Sequence, residues 1–67
     1  MPSIFDKHYD AGAARLTFTF DTGRIYVYEG VPPDVAAAFD AAASKDEFFA
    51  AHVRDRYRSH EITPTQE

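Results

Sequence analysis

The residues best suited to bind a ligand lie near the end of the chain. Three arginines, Arg54, Arg56 and Arg58, alternate with Asp55 and Tyr57. The arginine side chain presents a planar set of donors that matches phosphate and stacks on bases, and a tyrosine ring adds a stacking face. This combination is typical of a nucleic-acid contact surface.

Two further cations could extend this surface, one at the start of a predicted helix and one at a predicted strand turn. The candidate nucleic-acid-binding residues are therefore Arg24, Lys45, Arg54, Arg56, Tyr57 and Arg58. The alternative is a solvated helix end, where the arginines complement the helix dipole and Asp55 is their partner. Three arginines neutralise few phosphates, and the formal charge of −4 argues against non-specific coating of nucleic acid.

The sequence has no pattern typical of a catalytic or metal site. Without cysteine the chain has no disulfide, thiolate zinc ligand or cysteine nucleophile. His52 and His60 are eight residues apart and His8 is distant, so they lack the spacing of a helical metal site. Helix capping explains Ser44, and a chain this short is expected to lack room for a pocket of a few hundred Å³. We expect no enzyme, metal or other cofactor.

The composition predicts one small folded domain. A chain of 67 residues buries only about 60% of its unfolded surface, so packing must supply its stability. Hydrophobic residues make up 45% of the chain, too many for a disordered protein. No apolar run approaches the ~20 residues of a membrane span, and the first residues start no signal peptide. We therefore expect no membrane association and a cytoplasmic location.

A β-hairpin is the clearest structural signal. Residues 15–20 alternate strictly, and residues 25–28 are good strand formers. The alternation places three apolar residues on one face: Leu16, Phe18 and Phe20. Residues 4–10 mix apolar and charged side chains, which indicates an edge strand.

The length of the hairpin loop decides which side chains share a face. A two-residue loop would force Thr22 to positive φ, which a β-branched residue resists, whereas a three-residue loop needs only Gly23 there. The three-residue loop is favoured, and it pairs Phe18 with Tyr26. Tyr26 and Tyr28 then become core residues rather than an exposed stacking platform.

Two helices are expected after the hairpin. The first begins near two prolines and an acid, Pro32-Pro33-Asp34, and runs on alanine through Ala43. Its predicted apolar stripe is Val35, Ala38, Phe39 and Ala42. Ser44 and Glu47 form a capping-box signature for the second helix, which is expected to fray from Arg54. Residues 59–67 are polar and are expected to form a flexible tail.

The predicted fold class is therefore α+β. A small antiparallel β-hairpin, or a three-stranded meander, is followed by two short α-helices packed on it. Residues 1–67 form a single domain with its core in residues 4–58.

The order of these residues resembles the KTSC domain. Its motifs are Tyr9-Asp10, Leu16-x-Phe18-x-Phe20, Gly23-x-x-Tyr26-x-Tyr28-x-x-Val31-Pro32, Ala43-Ser44-Lys45, Phe48-Phe49 and His52-Val53-Arg54-Asp55-Arg56-Tyr57. No single motif is specific, but their ordered set over residues 4–58 is. The family is named for its association with the C-terminus of some lysyl-tRNA synthetases. The resemblance implies a small α+β domain with a suggested nucleic-acid-binding role.

The chain departs from the family pattern at two positions of the second helix. Asp46 stands where the family often has glycine, and Ala50 where it often has asparagine. Asp46 suits the helix dipole but disfavours a phosphate arriving at the helix start. Any ligand contact that relatives make at these two positions is expected to be weaker here.

Two functional hypotheses remain. The first is a non-catalytic accessory module that binds RNA or DNA through the arginine-rich end of the second helix. The alternative is a protein-interaction module that self-associates or docks on a larger protein without binding nucleic acid. It would use the other face of the hairpin, which carries Thr17, Thr19, Ile25 and Val27. The oligomeric state stays open.

Overall fold

The computed structural model describes residues 3–62. The elements in chain order are β1 Ile4–Asp10, β2 Arg15–Phe20, β3 Ile25–Glu29, α1 Pro33–Ala41, α2 Lys45–His52 and β4 Ser59–Ile62. The strands form one antiparallel sheet in the order β1-β2-β3-β4. The predicted α+β class with two helices on an antiparallel sheet is confirmed, and the sheet has one strand more than the predicted meander.

The β2–β3 hairpin has the predicted three-residue loop. Gly23 adopts a φ of 92°, the left-handed region that glycine enters without strain. Its amide donates to the Phe20 carbonyl at 2.9 Å, and the Phe20 amide donates to the Arg24 carbonyl at 2.9 Å. The resulting register pairs Phe18 with Tyr26, as predicted.

The predicted edge strand is also confirmed, because β1 pairs with β2 at one side of the sheet. Its register shifts between Ile4 and Asp6, which leaves Phe5 at a bulge with 77% of its surface exposed. The Tyr9 hydroxyl donates to the Val31 carbonyl at 2.7 Å and so ties β1 to the segment that leads into α1.

The core is an aromatic cluster centred on Phe18, which is fully buried. The Phe18 ring makes edge-to-face contacts with rings from three other elements. The centroid distances are 5.7 Å to Tyr28 of β3, 5.1 Å to Phe39 of α1 and 4.9 Å to Phe49 of α2. Such pairs add about 0.5–1.5 kcal/mol each to the burial of apolar area. Both helices are thus anchored on the same face of the sheet.

Helix α1 is rotated relative to the predicted stripe. Ala36 and Phe39 are buried, whereas Ala38, predicted to be buried, is exposed. The Phe39 ring must reach Phe18, so the buried face is centred on residue 39 and includes the position three before it. The helix ends at Ala41, two residues earlier than expected.

Helix α2 begins as the capping signature predicted. The Ser44 hydroxyl accepts the Glu47 amide at 3.3 Å. The helix ends at His52, and the next residue, Val53, is buried in the core. Arg54 therefore lies outside the helix. Neither helix within residues 3–62 is long and apolar enough to cross a membrane.

The predicted tail is wrong for residues 59–62. Ser59–Ile62 form β4, which pairs with β3 and places Ser59 opposite Tyr28 and Ile62 opposite Ile25. All four residues are exposed, and Ile62 alone is apolar, so the segment lacks the alternation that marks a strand. The segment becomes a strand because the edge of β3 that faces away from β2 has backbone groups free to pair with it. Residues 63–67 of the predicted tail lie outside the described residues.

We expect the aromatic cluster to dominate the stability of the domain. Phe18→Ala should lower the free energy of unfolding by about 3–5 kcal/mol, because the ring leaves a cavity between three elements. Phe5→Ala is the matched control and should change it by less than about 0.5 kcal/mol. Urea unfolding followed by circular dichroism measures both, and equal losses for the two variants would contradict the central role of Phe18.

We also expect β4 to stabilise the domain. A chain that ends at Arg58 should be less stable than one that ends at Ile62 by roughly 1–2 kcal/mol, because it loses one strand ladder and an ion pair. Both truncations lack residues 63–67, so their difference isolates the strand. Thermal unfolding at equal concentration measures it, and identical melting temperatures would show that β4 is not formed in solution.

Candidate ligand-binding groove

A groove of about 450 Å³ separates α2 from one side of the sheet. Its floor comes from the β2–β3 hairpin and β4, with Phe20, Thr22, Arg24, Tyr26, Tyr28 and Ser59. Its wall comes from α2 and the turn after it, with Asp46, Phe49, Ala50, Arg54 and Asp55. The expectation that so short a chain has no such space is therefore wrong. β4 extends the sheet floor, and the small side chain of Ala50 leaves the wall recessed.

The apolar part of the groove consists of aromatic rings held by one another. Phe20 packs edge-to-face on Tyr26 with centroids 5.8 Å apart, and on Phe49 with centroids 5.6 Å apart. Phe20 and Tyr26 are half-buried, whereas Phe49 is buried. The two half-buried rings therefore keep part of their surface available to a ligand while their positions are fixed by the core.

Tyr28 is the most buried polar residue of the floor, with 3% of its surface exposed. Burial raises the pKa of its hydroxyl, because the charged phenolate loses hydration, while the nearby Ser59 side chain and the charge of Arg54 act in the opposite direction. The predicted core role of Tyr28 is confirmed. Tyr28 nevertheless lines the groove as well, and the raised pKa keeps its hydroxyl neutral at pH 7.

Two arginines flank the aromatic floor. The Arg24 guanidinium pairs with Glu61 of β4, with Nη1 at 3.1 Å from Oε2 and 3.4 Å from Oε1. The Arg54 Nε lies 3.9 Å from Asp55 Oδ2, which is too long for a hydrogen bond. Both arginine side chains are more than half exposed. Arg54 therefore has the weaker ion pair of the two cations and is the more available to an anionic ligand.

The two departures from the family pattern lie in this groove. Asp46 and Ala50 both belong to the lining of its helix wall. Asp46 Oδ1 accepts the Ile4 amide at 3.3 Å, so this carboxylate is used in part to hold β1 against the start of α2. Ala50 presents only a methyl group to the groove.

The other predicted site residues are distributed around the molecule. Arg56 and Arg58 are exposed in the segment between α2 and β4, and within residues 3–62 neither forms an ion pair. Tyr57 is half-buried and packs against the core. Lys45 does not line the groove, since its Nζ donates to the carbonyls at the end of α1. The structure thus unites Arg24 with Arg54 around one groove and places Lys45 apart.

Sequence reasoning missed Phe20, Ser59 and Phe49 as lining residues. Of these three residues, only Phe20 could have been identified from the sequence, because the predicted register places it opposite Arg24 rather than opposite another apolar residue. Ser59 gives no signal because its place in the groove depends on β4.

The groove offers rings, arginines and hydroxyls rather than a reactive centre. Its carboxylates are Asp46, in the first turn of α2, and Asp55, in the turn after the helix, and no histidine lines it. Among the side chains of residues 3–62, no three histidine, aspartate or glutamate groups are placed to hold one metal ion. The arrangement is suited to binding an aromatic or anionic group.

The opposite face of the sheet is uncovered by helices. Its apolar strip crosses β3 and β4, where Ile25 is paired with Ile62 and Val27, on the same face, is paired with His60. Val27 is only 5% exposed because neighbouring strands flank it, whereas Ile62 is 40% exposed. Ile25 and Val27 belong to the face that the sequence hypothesis gave to a protein partner, and β4 adds Ile62 to it.

Comparisons with known proteins agree on one family. The sequence model of the KTSC domain matches residues 3–57. The lysine–tRNA ligase of Nostoc punctiforme is 31% identical over 55 residues, 82% of this chain and 10% of that protein. The lysine–tRNA ligase of Trichormus variabilis is 28% identical over 60 residues, 90% of this chain and 11% of that protein. The chain thus spans about a tenth of the length of these two relatives.

A solved structure shows the same fold. The crystal structure of a KTSC domain protein from Yersinia pestis matches with a TM-score of 0.80 at 24% sequence identity, over 94% of this chain and 97% of that chain. The family match covers most of the residues that build the sheet and both helices. This chain belongs to the KTSC domain family.

Proposed function

We propose that this KTSC domain is a non-catalytic module that binds nucleic acid through the arginines of the segment between α2 and β4. The observation that carries the proposal is the position of Arg54, which lines the groove and whose one ion pair within residues 3–62 is the long 3.9 Å contact with Asp55. Arg56 and Arg58 follow it in the same exposed segment. Three guanidinium groups on one short segment can contact successive phosphates of a strand.

The remaining candidate residues have supporting roles in this proposal. Arg24 lies on the same groove and adds a second cation, at the cost of its contact with Glu61. Tyr57 holds the segment on the core and offers its exposed edge to a base. Lys45 lies at the junction of the two helices, away from the groove, so in this proposal it contacts a phosphate farther along the strand.

The relatives support this proposal by association. Two similar proteins are named lysine–tRNA ligases, and the matching segment is about a tenth of each. A cytoplasmic location and RNA as the natural ligand are the parts of the proposal that rest on this association. The formal charge of −4 limits binding to a local contact, so affinity should be modest and strongly salt-dependent.

We expect neutralisation of Arg54, Arg56 and Arg58 to weaken binding strongly. The variant Arg54→Gln, Arg56→Gln, Arg58→Gln should bind a labelled single-stranded RNA at least about tenfold more weakly at low salt, because three phosphate contacts are lost. The slope of log affinity against log salt should fall by about 2. Fluorescence anisotropy at several salt concentrations measures both quantities.

The matched control carries the same net charge. The control combines Ala37→Glu, Ala38→Glu and Ala51→Glu, which are exposed residues of the helices. Both the arginine variant and this control change the formal charge from −4 to −7. The control should keep most of the affinity. The proposal fails if wild-type protein binds no RNA or DNA at low salt, or if the control loses as much affinity as the arginine variant.

A second function is favoured by the uncovered sheet face. The strip formed by Ile25, Val27 and Ile62 would bind a second copy of the chain or a larger protein that carries the domain. Under this proposal nucleic acid plays no part, and the arginine variant would keep full activity.

We expect self-association through this face to make the melting temperature rise with protein concentration. Ile62→Lys should remove that dependence, because it places a charge in the strip, whereas Phe5→Lys at the other edge should leave it unchanged. Differential scanning calorimetry over a hundredfold range of concentration measures the effect. A melting temperature independent of concentration, with no protein retained by the immobilised domain, would exclude this function.

A further inference from the structure

The aromatic floor of the groove lies between its two cations. Arg24 directly precedes β3 and lies four residues before Tyr28, a distance of about 13 Å at the rise of an extended strand. Arg54 lies near the Tyr28 end, where its charge acts on the Tyr28 hydroxyl. Phe20 and Tyr26 occupy the space between these ends. A ligand with a flat ring and a phosphate at one side would meet matching groups in this order.

The two ends differ in how readily they accept an anion. Arg54 has only the 3.9 Å contact with Asp55, whose side chain is 86% exposed. Arg24 is already neutralised by Glu61, so a phosphate there must displace an exposed ion pair, which has little net stability. The Arg54 end is therefore the primary phosphate position, and the Arg24 end is the secondary one.

The recessed position of the rings restricts what can reach them. They lie between the sheet and α2, with Ala50 on the opposite wall. Bases in a duplex are stacked inside it and cannot enter a groove without being extruded, whereas an unpaired base can. Duplex phosphates could still contact the exposed arginines at the mouth of the groove.

We propose that the groove is a subsite for one unpaired nucleotide, with its base against Phe20 and Tyr26 and its phosphate on Arg54. This inference rests on the proposed nucleic-acid function and assigns it a ligand class: single-stranded rather than double-stranded nucleic acid. The Tyr28 and Ser59 hydroxyls supply hydrogen bonds to the base edge or the sugar. Base contacts of this kind tolerate any sequence, because every base has a π-face.

Filling the groove tests the assignment directly. Ala50→Leu adds bulk to the wall opposite the rings and should weaken binding of a labelled single-stranded RNA about tenfold, the effect of losing one stacked base. Ala51→Leu is the matched control on the exposed side of the same helix, and it should bind like wild type. Binding of a blunt RNA duplex should be weaker than that of the single strand and should not change in either variant.

A second variant covers the case in which Ala50→Leu fails to fold. Phe20→Leu keeps an apolar side chain of similar size but removes the ring, and it should also lower single-strand affinity several-fold. Circular dichroism establishes that each variant is folded before binding is measured.

The outcomes separate this inference from the proposed function. If wild-type protein binds no nucleic acid at all, both fail together. The groove assignment is overturned if the arginine variant loses binding while folded Ala50→Leu and Phe20→Leu bind the single strand like wild type. A peptide would then be the remaining candidate ligand for the groove. Equal affinity for duplex and single strand overturns it as well.

Discussion

The packing of Phe18 is the contact on which the rest of this domain depends. Its ring touches one ring from each of β3, α1 and α2, so a single side chain sets the position of both helices on the sheet. A chain without disulfides has no covalent means of holding these elements together. The hairpin register matters for the same reason, because a shift of one residue would turn Phe18 away from both helices.

The groove is a consequence of the same packing. Phe49 anchors α2 on the cluster and also contacts Phe20, whose ring fixes Tyr26. These rings form the border between the core and the groove, so the surface offered to a ligand is held in place by its packing against the core. The arginines, in contrast, are exposed and lie on a turn and a loop, where they can adjust to a phosphate. A rigid aromatic floor with adjustable cations suits a flexible strand better than a fixed duplex.

Local signals predicted most of the fold. Strict alternation predicted β2, and Ser44 predicted the start of α2. The hairpin register followed from the requirement that the loop residue at positive φ be Gly23 rather than Thr22. Each signal acts over a few neighbouring residues and is therefore readable from one sequence. The face of α1 was mispredicted because the choice between Ala36 and Ala38 depends on where Phe39 meets Phe18, which is a long-range contact.

The site was less predictable than the fold. Three polar residues and one isoleucine form β4 because the edge of β3 is free to pair, and without β4 the groove would lack Ser59 as part of its floor. The arginine cluster was visible in sequence, but its spatial relation to Arg24 was not. Tyr26 was assigned to the core, and the structure adds that the same residue borders the groove. The alternation of a strand shows which face a residue such as Tyr26 lies on, but it does not show that the same residue also borders a groove.

The most direct test of the account is the map of backbone amide NMR shifts on titration with a short single-stranded RNA at low salt. We expect the largest changes at Phe20, Tyr26, Ala50 and Arg54, which surround the groove, and little change at Ile25, Val27 and Ile62. Shifts confined to that opposite face of the sheet, or no shifts at saturating RNA, would contradict it.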